Sequence, residues 1–550
     1  MTDTTPLTTL IYLPLLGALA LLAIPKNRDR AHWAIAIGAS LLTLVPFLAI
    51  LRDFRPHITE LQFLDTVAAL DAIGLGSTVG LDGINLWFVG LATLLTPVAL
   101  LGSIGRITYR ARDFAALVLL VEGSAIGVFC AQDLLTLFIF WVIVLLALYL
   151  LFRGWGGEEG PATASRFALY TGSGSLLLLI ALLAIYNASG GFGYETIATA
   201  DITPEDASWI AITFGLGFLL QMAIFPFHGW YCGALAQAAI APSILITGIL
   251  VNMGAYGFIR FVVPLFPETL GGYSIALVGV SALGVVFGAL TASGHSALRK
   301  VISYASISNL SLVLLGVLAF NEQSLQGSIV LLICHSLAVT CVLLVQHKID
   351  VRGVATAGSG TTSAVSPGLK VLFSLSILCL IGIPLTGNFI GQFLVISASF
   401  GEGLPIYPGL GITDWPVLVV IASGLACLSI ILAATYGIKL LRSFGTVASS
   451  ESQDELAVSL SRLETGILVP LIVTIFGIGV SPGGILKHTE TSTNQLVEMH
   501  RSSIQLARDS KRIGIRLEKR KRATRPGPGR LKGPEAGQPS GKKVRVKGRR

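Results

Sequence analysis

The sequence predicts an all-α polytopic membrane protein with about fourteen transmembrane helices, two of them interrupted. Three observations lead there. Of the 550 residues, 53% are hydrophobic and only 12% charged, with a mean hydropathy of +0.78. A soluble chain carries roughly 25% charged residues, so lipid must solvate most of this surface. Successive apolar windows have the roughly 20-residue length that crosses a bilayer core. Lys and Arg are also partitioned between alternate loops, as the positive-inside rule requires.

The expected spans are 8–25, 33–51, 84–103, 114–130, 134–152, 167–187 and 208–227, then 244–264, 273–292, 302–320, 326–346, 370–396, 416–438 and 464–482. Only Asp3 and no basic residue precedes the first, so it is expected to be a retained helix and not a signal peptide. Small-residue rows such as "YTGSGSL" (170–176) let helices approach closely in lipid. Six cysteines at irregular spacings, without a CxxC pair, give no metal or disulfide framework, and no metal site is expected.

The odd-numbered loops carry Lys26, Arg28, Arg30, Arg106, Arg110, Arg112, Arg153 and Arg166 in the first half. In the second half they carry Arg299, Lys300, Lys348, Arg352, Lys370, Lys439, Arg442 and Arg462. Even-numbered loops hold only Arg52 and Arg55 beside acids such as Glu195, Asp201, Glu205 and Asp206. Odd loops are therefore expected in the cytoplasm and both termini on the other side. From Lys487 the chain turns polar and basic, holding 19 of the 38 Lys and Arg. Residues 487–550 are expected to be a disordered tail that touches anionic lipid or a partner subunit, not nucleic acid.

Two spans are broken. Pro226 interrupts "AIFPFHGW" (223–230), and Pro384 interrupts "GIPLTGNFIGQF" (382–393), where Gly387 and Gly391 form a Gly-x-x-x-Gly pair. Each break falls in the fourth span of a five-span block, the first block running over spans 4–8 and the second over 9–13. Interrupted helices at matching places in two halves point to a transporter built from repeats. A charge at mid-bilayer costs about 3 kcal/mol on insertion scales, so interior ionisable groups are functional candidates. Glu122, His228 and His335 are the expected proton-path residues, with Asp133 and Lys439 near span ends. Arg260, also near a span end, is expected to snorkel.

Several stretches in order carry a family resemblance: "LDGINLWFVGLATLLTPVALL" (81–101), "GVFCAQDLLTLFIFW" (127–141), "FPFHGW" (225–230), "MGAYGFIRF" (253–261), "RKVISYASISNL" (299–310) and "LTGNFIGQFL" (385–394). With these the chain resembles the antiporter-like membrane subunits of respiratory complex I and its photosynthetic relatives, as a divergent member of the subunit M/subunit 4 branch. The resemblance covers roughly residues 8–482. It implies fourteen helices in two inverted five-helix repeats, broken helices 7 and 12, and proton translocation coupled to quinone reduction. The expected division is a three-helix segment over 1–113, repeats over 114–264 and 273–440, a last helix over 464–482, and the tail over 487–550.

The departures from the family are specific. The glutamate usually found after the fifth-helix tryptophan is Val142, and the seventh-helix lysine is Gln221. The eighth-helix lysine is Asn252, a histidine common in the tenth helix is Asn309, and the acid after the twelfth-helix break is Gln392. His228 and His335 match family histidines. Gln and Asn keep size and hydrogen bonding but cannot bind and release a proton near neutral pH, and valine cannot even hydrogen-bond.

The resemblance therefore implies a membrane-arm subunit of a proton-translocating NAD(P)H- or ferredoxin:quinone oxidoreductase, with the titrating relay largely replaced. No redox centre or cofactor is expected in this chain, so quinone and NAD(P)H or ferredoxin belong to the complex. The expected partners are other membrane-arm subunits and the lipid bilayer of a bacterial inner membrane or a thylakoid. A paralogue in a cation/proton antiporter, inorganic-carbon-uptake or hydrogenase complex is the second reading, and a non-transporting scaffold the third.

Overall fold

The structure, a computed structural model, describes residues 6–66, 77–351, 365–400, 415–446 and 459–523. Two compact units divide the chain, Met1–Ser503 and Ile504–Arg550.

In the first unit α1 (Pro6–Ala23) and α2 (Asp29–Asp53) lead into a two-stranded antiparallel hairpin, β1 (Gln62–Thr66) and β2 (Thr78–Leu81). Then come α3 (Asn85–Ser103), α4 (Ala111–Cys130), α5 (Leu134–Trp155), α6 (Gly160–Ser189) and the short α7 (Tyr194–Ala198). The first break separates α8 (Pro204–Gln221) from α9 (Gly229–Gln237). α10 (Ile240–Leu265) follows, then α11 (Pro267–Gly294), α12 (Leu298–Leu318) and α13 (Glu322–Val351). The second break separates α14 (Pro367–Ile381) from α15 (Gly387–Phe400). α16 (Trp415–Thr446), α17 (Arg462–Val480) and α18 (Gly483–Ala523) complete the order.

Among the described residues twelve helices are long and apolar enough to cross a membrane, and α14 and α15 are shorter apolar helices flanking a break. Burial separates inner from outer helices. α10, α12 and α13 are almost entirely buried, whereas α2, α6 and α17 keep most of their surface outward. α11 packs on α12 and α16, and α13 on α12, α15 and α17. The polar side chains of the inner helices are therefore the ones that lipid cannot reach.

Two features depart from the sequence reading. The hairpin lies between the expected spans 33–51 and 84–103, in a chain expected to be all-α. Its strand β2 extends to the residues between α4 and α5, where Gln132 donates its backbone N–H to the Thr78 carbonyl at 2.9 Å. Residues 487–523, expected to be disordered, are helical within α18. The reason is a buried stripe at helical spacing: Ile485, Thr489, Ser492, Thr493, Leu496, Val497 and His500. Small polar residues in that stripe hid it from a reading based on charge and hydropathy. The rest of the expected tail, 524–550, lies outside the described residues.

The stripe docks residues of α18 up to His500 across one end of the bundle. Thr491 Oγ1 donates to the Pro56 carbonyl at 2.6 Å, and Ser492 Oγ accepts from the Gly83 N–H at 2.9 Å. Glycine is required at 83, because a Cβ there would overlap the His488 carbonyl. The His488 ring packs between Phe54 and Trp87, and His500 stacks on Phe320 at 4.1 Å between ring centres. This segment straps the ends of α2, α3 and α12 together.

Candidate functional site

Both breaks are built by one device. α8 ends at Gln221 and α9 starts at Gly229; between them lie the cis Phe225–Pro226 bond and Ala223 at φ +56°. Pro226 supplies no N–H, so carbonyls at the end of α8 need another donor. Trp230 supplies one, its Nε1–H reaching the Leu220 carbonyl at 3.0 Å. At the second break Pro384 plays the same part, Leu385 sits at φ +78°, and Asn388 Nδ2 donates to the Cys379 carbonyl at 2.8 Å. A non-glycine residue held at positive φ costs about 1–3 kcal/mol, so both breaks are maintained against local preference. Gly387 starts α15 where a Cβ would run into the Cys334 thiol. Gly382, at φ +75°, also has the Gln392 side chain where its Cβ would be.

Between the breaks runs a chain of buried neutral side chains. Gln392 Nε2 on α15 donates to Asn309 Oδ1 on α12 at 3.0 Å. Asn309 Nδ2 donates in turn to His335 Nδ1 on α13 at 3.2 Å. Since Nδ1 accepts, the ring proton belongs on Nε2, which lies 3.0 Å from Ser306 Oγ; that hydroxyl donates to the Ile302 carbonyl at 2.9 Å. Every donor in this run points the same way, and each group is filled by its neighbour.

A second run starts one residue on. Asn252 Nδ2 on α10 donates to Ser336 Oγ at 2.8 Å and to the Gly248 carbonyl at 2.7 Å. Ser336 donates to the Leu332 carbonyl at 2.7 Å and the Thr247 carbonyl at 3.3 Å. α10 makes this possible by loosening into π-helical turns at Ile246–Leu250 and Phe258–Val262, either side of Asn252. Such bulges recur at functional sites because they free backbone groups. Between the two runs lies a cavity of about 10 Å³, lined by Asn252, Asn309, His335 and Ser336, at the limit for one water.

Gln221, at the end of α8, is buried beside α10: a Cβ on Gly254 would stand 2.7 Å from Met222 N and 3.1 Å from the Gln221 carbonyl carbon. Gln221 Nε2, Asn252 Oδ1 and Gln392 Oε1 have no partner among the described residues. The two runs are thus each open at one end, at Gln392 and at Asn252, and among the described residues no hydrogen bond ties the Gln221 side chain to either. Val142 joins neither. It is 41% exposed on α5, while the adjacent Trp141 is buried with Nε1 on Ser175 Oγ at 3.2 Å.

The other expected residues are dispersed. Glu122 is fully buried on α4 beside Ser40 of α2, off the run just described. His228 opens α9 within an aromatic cluster of Phe225, Phe287 and Tyr304. Asp133 caps α5, accepting from the Thr136 N–H at 2.7 Å and the Thr78 N–H at 3.1 Å. Burial raises its carboxyl above the usual range, with those N–H donors pulling the other way. Lys439 Nζ donates to the Ser293 and His295 carbonyls at 3.3 and 2.9 Å, capping the end of α11.

Arg260, expected to snorkel, instead donates from Nη1 to Asp82 at 2.6 Å and from Nη2 to Gln132 Oε1 at 2.8 Å. Asp82 also accepts from the Ile84 and Asn85 N–H groups at the start of α3. Sequence reasoning missed this pair because 178 residues separate its members.

Comparison with known proteins follows from this geometry. A family model described as "NADH:quinone oxidoreductase/Mrp antiporter, TM" matches residues 131–413, just over half of the chain. The chain is 30% identical over 502 residues to NADH-quinone oxidoreductase subunit M of Rickettsia felis, covering 88% of this chain and 97% of the relative. The chain belongs to this family. Within the NADH:quinone oxidoreductase/Mrp antiporter family, its fold superposes on a chain of respiratory complex I from Thermus thermophilus with a TM-score of 0.75 at 24% identity. That match covers 90% of this chain and 99% of the other. A chain of the Mrp complex from Dietzia gives 0.76 at 20% identity, covering 92% of this chain and all of the other. The same fold is thus found in a chain of respiratory complex I and in a chain of an Mrp complex.

Proposed function

We propose that this chain is a membrane-arm subunit of a proton-translocating quinone oxidoreductase of the complex I type, partnered by other membrane-arm subunits. Within it, a neutral hydrogen-bonded network occupies the place of the titrating relay, so translocation through this subunit is impaired or rerouted. The run Gln392–Asn309–His335–Ser306 carries this reading. It joins the broken-helix region to the inner helices, yet only its histidine can titrate, and the Nδ1 that would accept a proton already holds the Asn309 amide. Fourteen spans in two inverted repeats, with α8–α9 and α14–α15 as broken helices 7 and 12, are part of the proposal. The matched devices at the two breaks support them. So are odd loops in the cytoplasm and termini outside. NAD(P)H or ferredoxin and quinone are assigned to other subunits of the complex.

Glu122 and His228 are the remaining proton-path candidates, the first by full burial of a carboxyl and the second by its place at the break. The similarity to the Mrp chain supports the second reading, a subunit of a cation/proton antiporter complex. Proton uptake by proteoliposomes holding the intact complex tests the first. The expected yield is fewer protons per two electrons than from a complex whose corresponding subunit keeps the glutamate and lysines; an equal yield refutes the neutral-relay reading. Quinone-reductase subunits co-purifying with the chain favour the first assembly, and sodium-dependent proton exchange without them favours the antiporter.

A further inference from the structure

A cavity of about 110 Å³ opens at the basic-loop end of the bundle, between the C-terminal ends of α3 and α13 and the first turn of α17. One wall is polar. Arg106 Nη2 donates to Glu464 Oε1 at 3.1 Å, and Nη1 to the His347 carbonyl at 3.3 Å. From behind, Lys348 Nζ reaches both oxygens of Glu464, at 3.0 and 2.8 Å. Two cations therefore share one carboxylate, which leaves one positive charge.

Glu464 is not free to move and fill the space. Its Oε2 accepts from the Ser461 N–H at 2.7 Å while Ser461 Oγ accepts from the Glu464 N–H, a reciprocal cap that fixes the start of α17. Arg106 has five N–H donors and uses two of its nitrogens. His347 also lines the cavity, and among the described residues its buried Nε2 has no partner. Arg106 thus keeps N–H donors unused beside the space. The opposite wall is apolar, with Leu101, Leu344 and Ile467, and the mouth is flanked by Ile104 and Leu463, 38% and 46% exposed.

We propose that this cavity binds the phosphodiester headgroup of an anionic phospholipid, with the first methylenes of its acyl chains lying along the apolar wall. A phosphodiester brings acceptor oxygens and one negative charge, which matches the unused Arg106 donors and the net charge of the Arg106–Glu464–Lys348 group. A free phosphate would satisfy the polar wall and leave the apolar wall and its mouth uncovered. The site is independent of whether protons cross this subunit.

The test uses the full-length chain in nanodiscs, with retained lipid read by native mass spectrometry and thermal unfolding read in parallel. Nanodiscs of phosphatidylglycerol are compared with nanodiscs of phosphatidylcholine, the latter also with inorganic phosphate added. The expected result is selective retention of phosphatidylglycerol, with a higher unfolding temperature that inorganic phosphate does not reproduce. Arg106→Gln removes the charge-assisted donors and should weaken retention roughly tenfold. Glu464→Gln keeps the cap on Ser461 but removes the competing charge, so retention should hold or rise. Equal retention of both lipids, full protection by inorganic phosphate alone, or unchanged retention in Arg106→Gln would each overturn the proposal.

Discussion

Asn309 and Gln392 show what amides do in a buried hydrogen-bonded run. An amide offers both a donor and an acceptor, so it passes a hydrogen bond from Gln392 to His335, but it releases no proton. Removing the imidazole should expose what the run holds together. His335→Ala leaves Asn309 Nδ2 without its acceptor and Ser306 Oγ without its donor, and is expected to destabilise the chain by about 2–4 kcal/mol, measured by thermal unfolding in detergent. Installing the missing charges should not restore transport. Asn252→Lys places an ammonium beside a cavity of about 10 Å³ with no carboxylate there, and Val142→Glu places a carboxylate on an exposed face of α5. The triple variant with Gln221→Lys is expected to show no added proton uptake in proteoliposomes and a lower unfolding temperature. Glu122→Gln is the complementary test. It keeps the side chain's volume, so lost residual uptake at unchanged stability would mark that carboxyl as a proton site.

At the scale of elements, the breaks and the strap differ in how much the sequence revealed. The breaks were legible because proline announces lost N–H groups within apolar runs, and Pro226 and Pro384 fall at matching places. What repairs them was not, since Trp230 and Asn388 act on carbonyls nine or ten residues earlier across a bend. The helical strap was hidden by its own composition, Thr and Ser filling positions where a stripe is usually aliphatic. The Arg260–Asp82 pair and the Gln392–Asn309–His335 run were illegible for a third reason, being made by tertiary folding between distant segments. The substituted positions are read from the family resemblance; the fold joins two of them directly, Asn309 and Gln392.

The strap also carries a pH dependence. Burial lowers the His500 imidazole from 6.5 to about 4, Arg501 adding to the effect and the Val263 backbone opposing it. Below about pH 6.5 the undocked strap takes up a proton that the docked one refuses until about pH 4. Docking is therefore at full strength above that range and weakens through it by up to about 1.4 kcal/mol per pH unit. Hydrogen exchange of residues 489–500 should accelerate on acidification, and His500→Phe, which keeps the stack on Phe320, should abolish that change.

On the scale of the whole molecule, inner helices hold the polar network and outer helices face lipid or neighbouring subunits. The proposed sidedness predicts that single cysteines at Arg153 and Lys300 react with an impermeant maleimide only from the cytoplasmic side of sealed vesicles. A cysteine at Glu195 should react only from the other. The opposite pattern would displace the fourteen-span topology. The strap has a further consequence, for biogenesis. Its bonds to Pro56 and Gly83 close loops of 435 and 409 residues, so they cannot form until Thr491 and Ser492 have left the ribosome. The ends of α2 and α3 stay unlatched until Thr491 and Ser492 have been made, and a product terminated before them never acquires the latch. A nascent chain thus carries on its own surface a record of whether synthesis has passed Ser492, available to any membrane protease that samples the loop after α2.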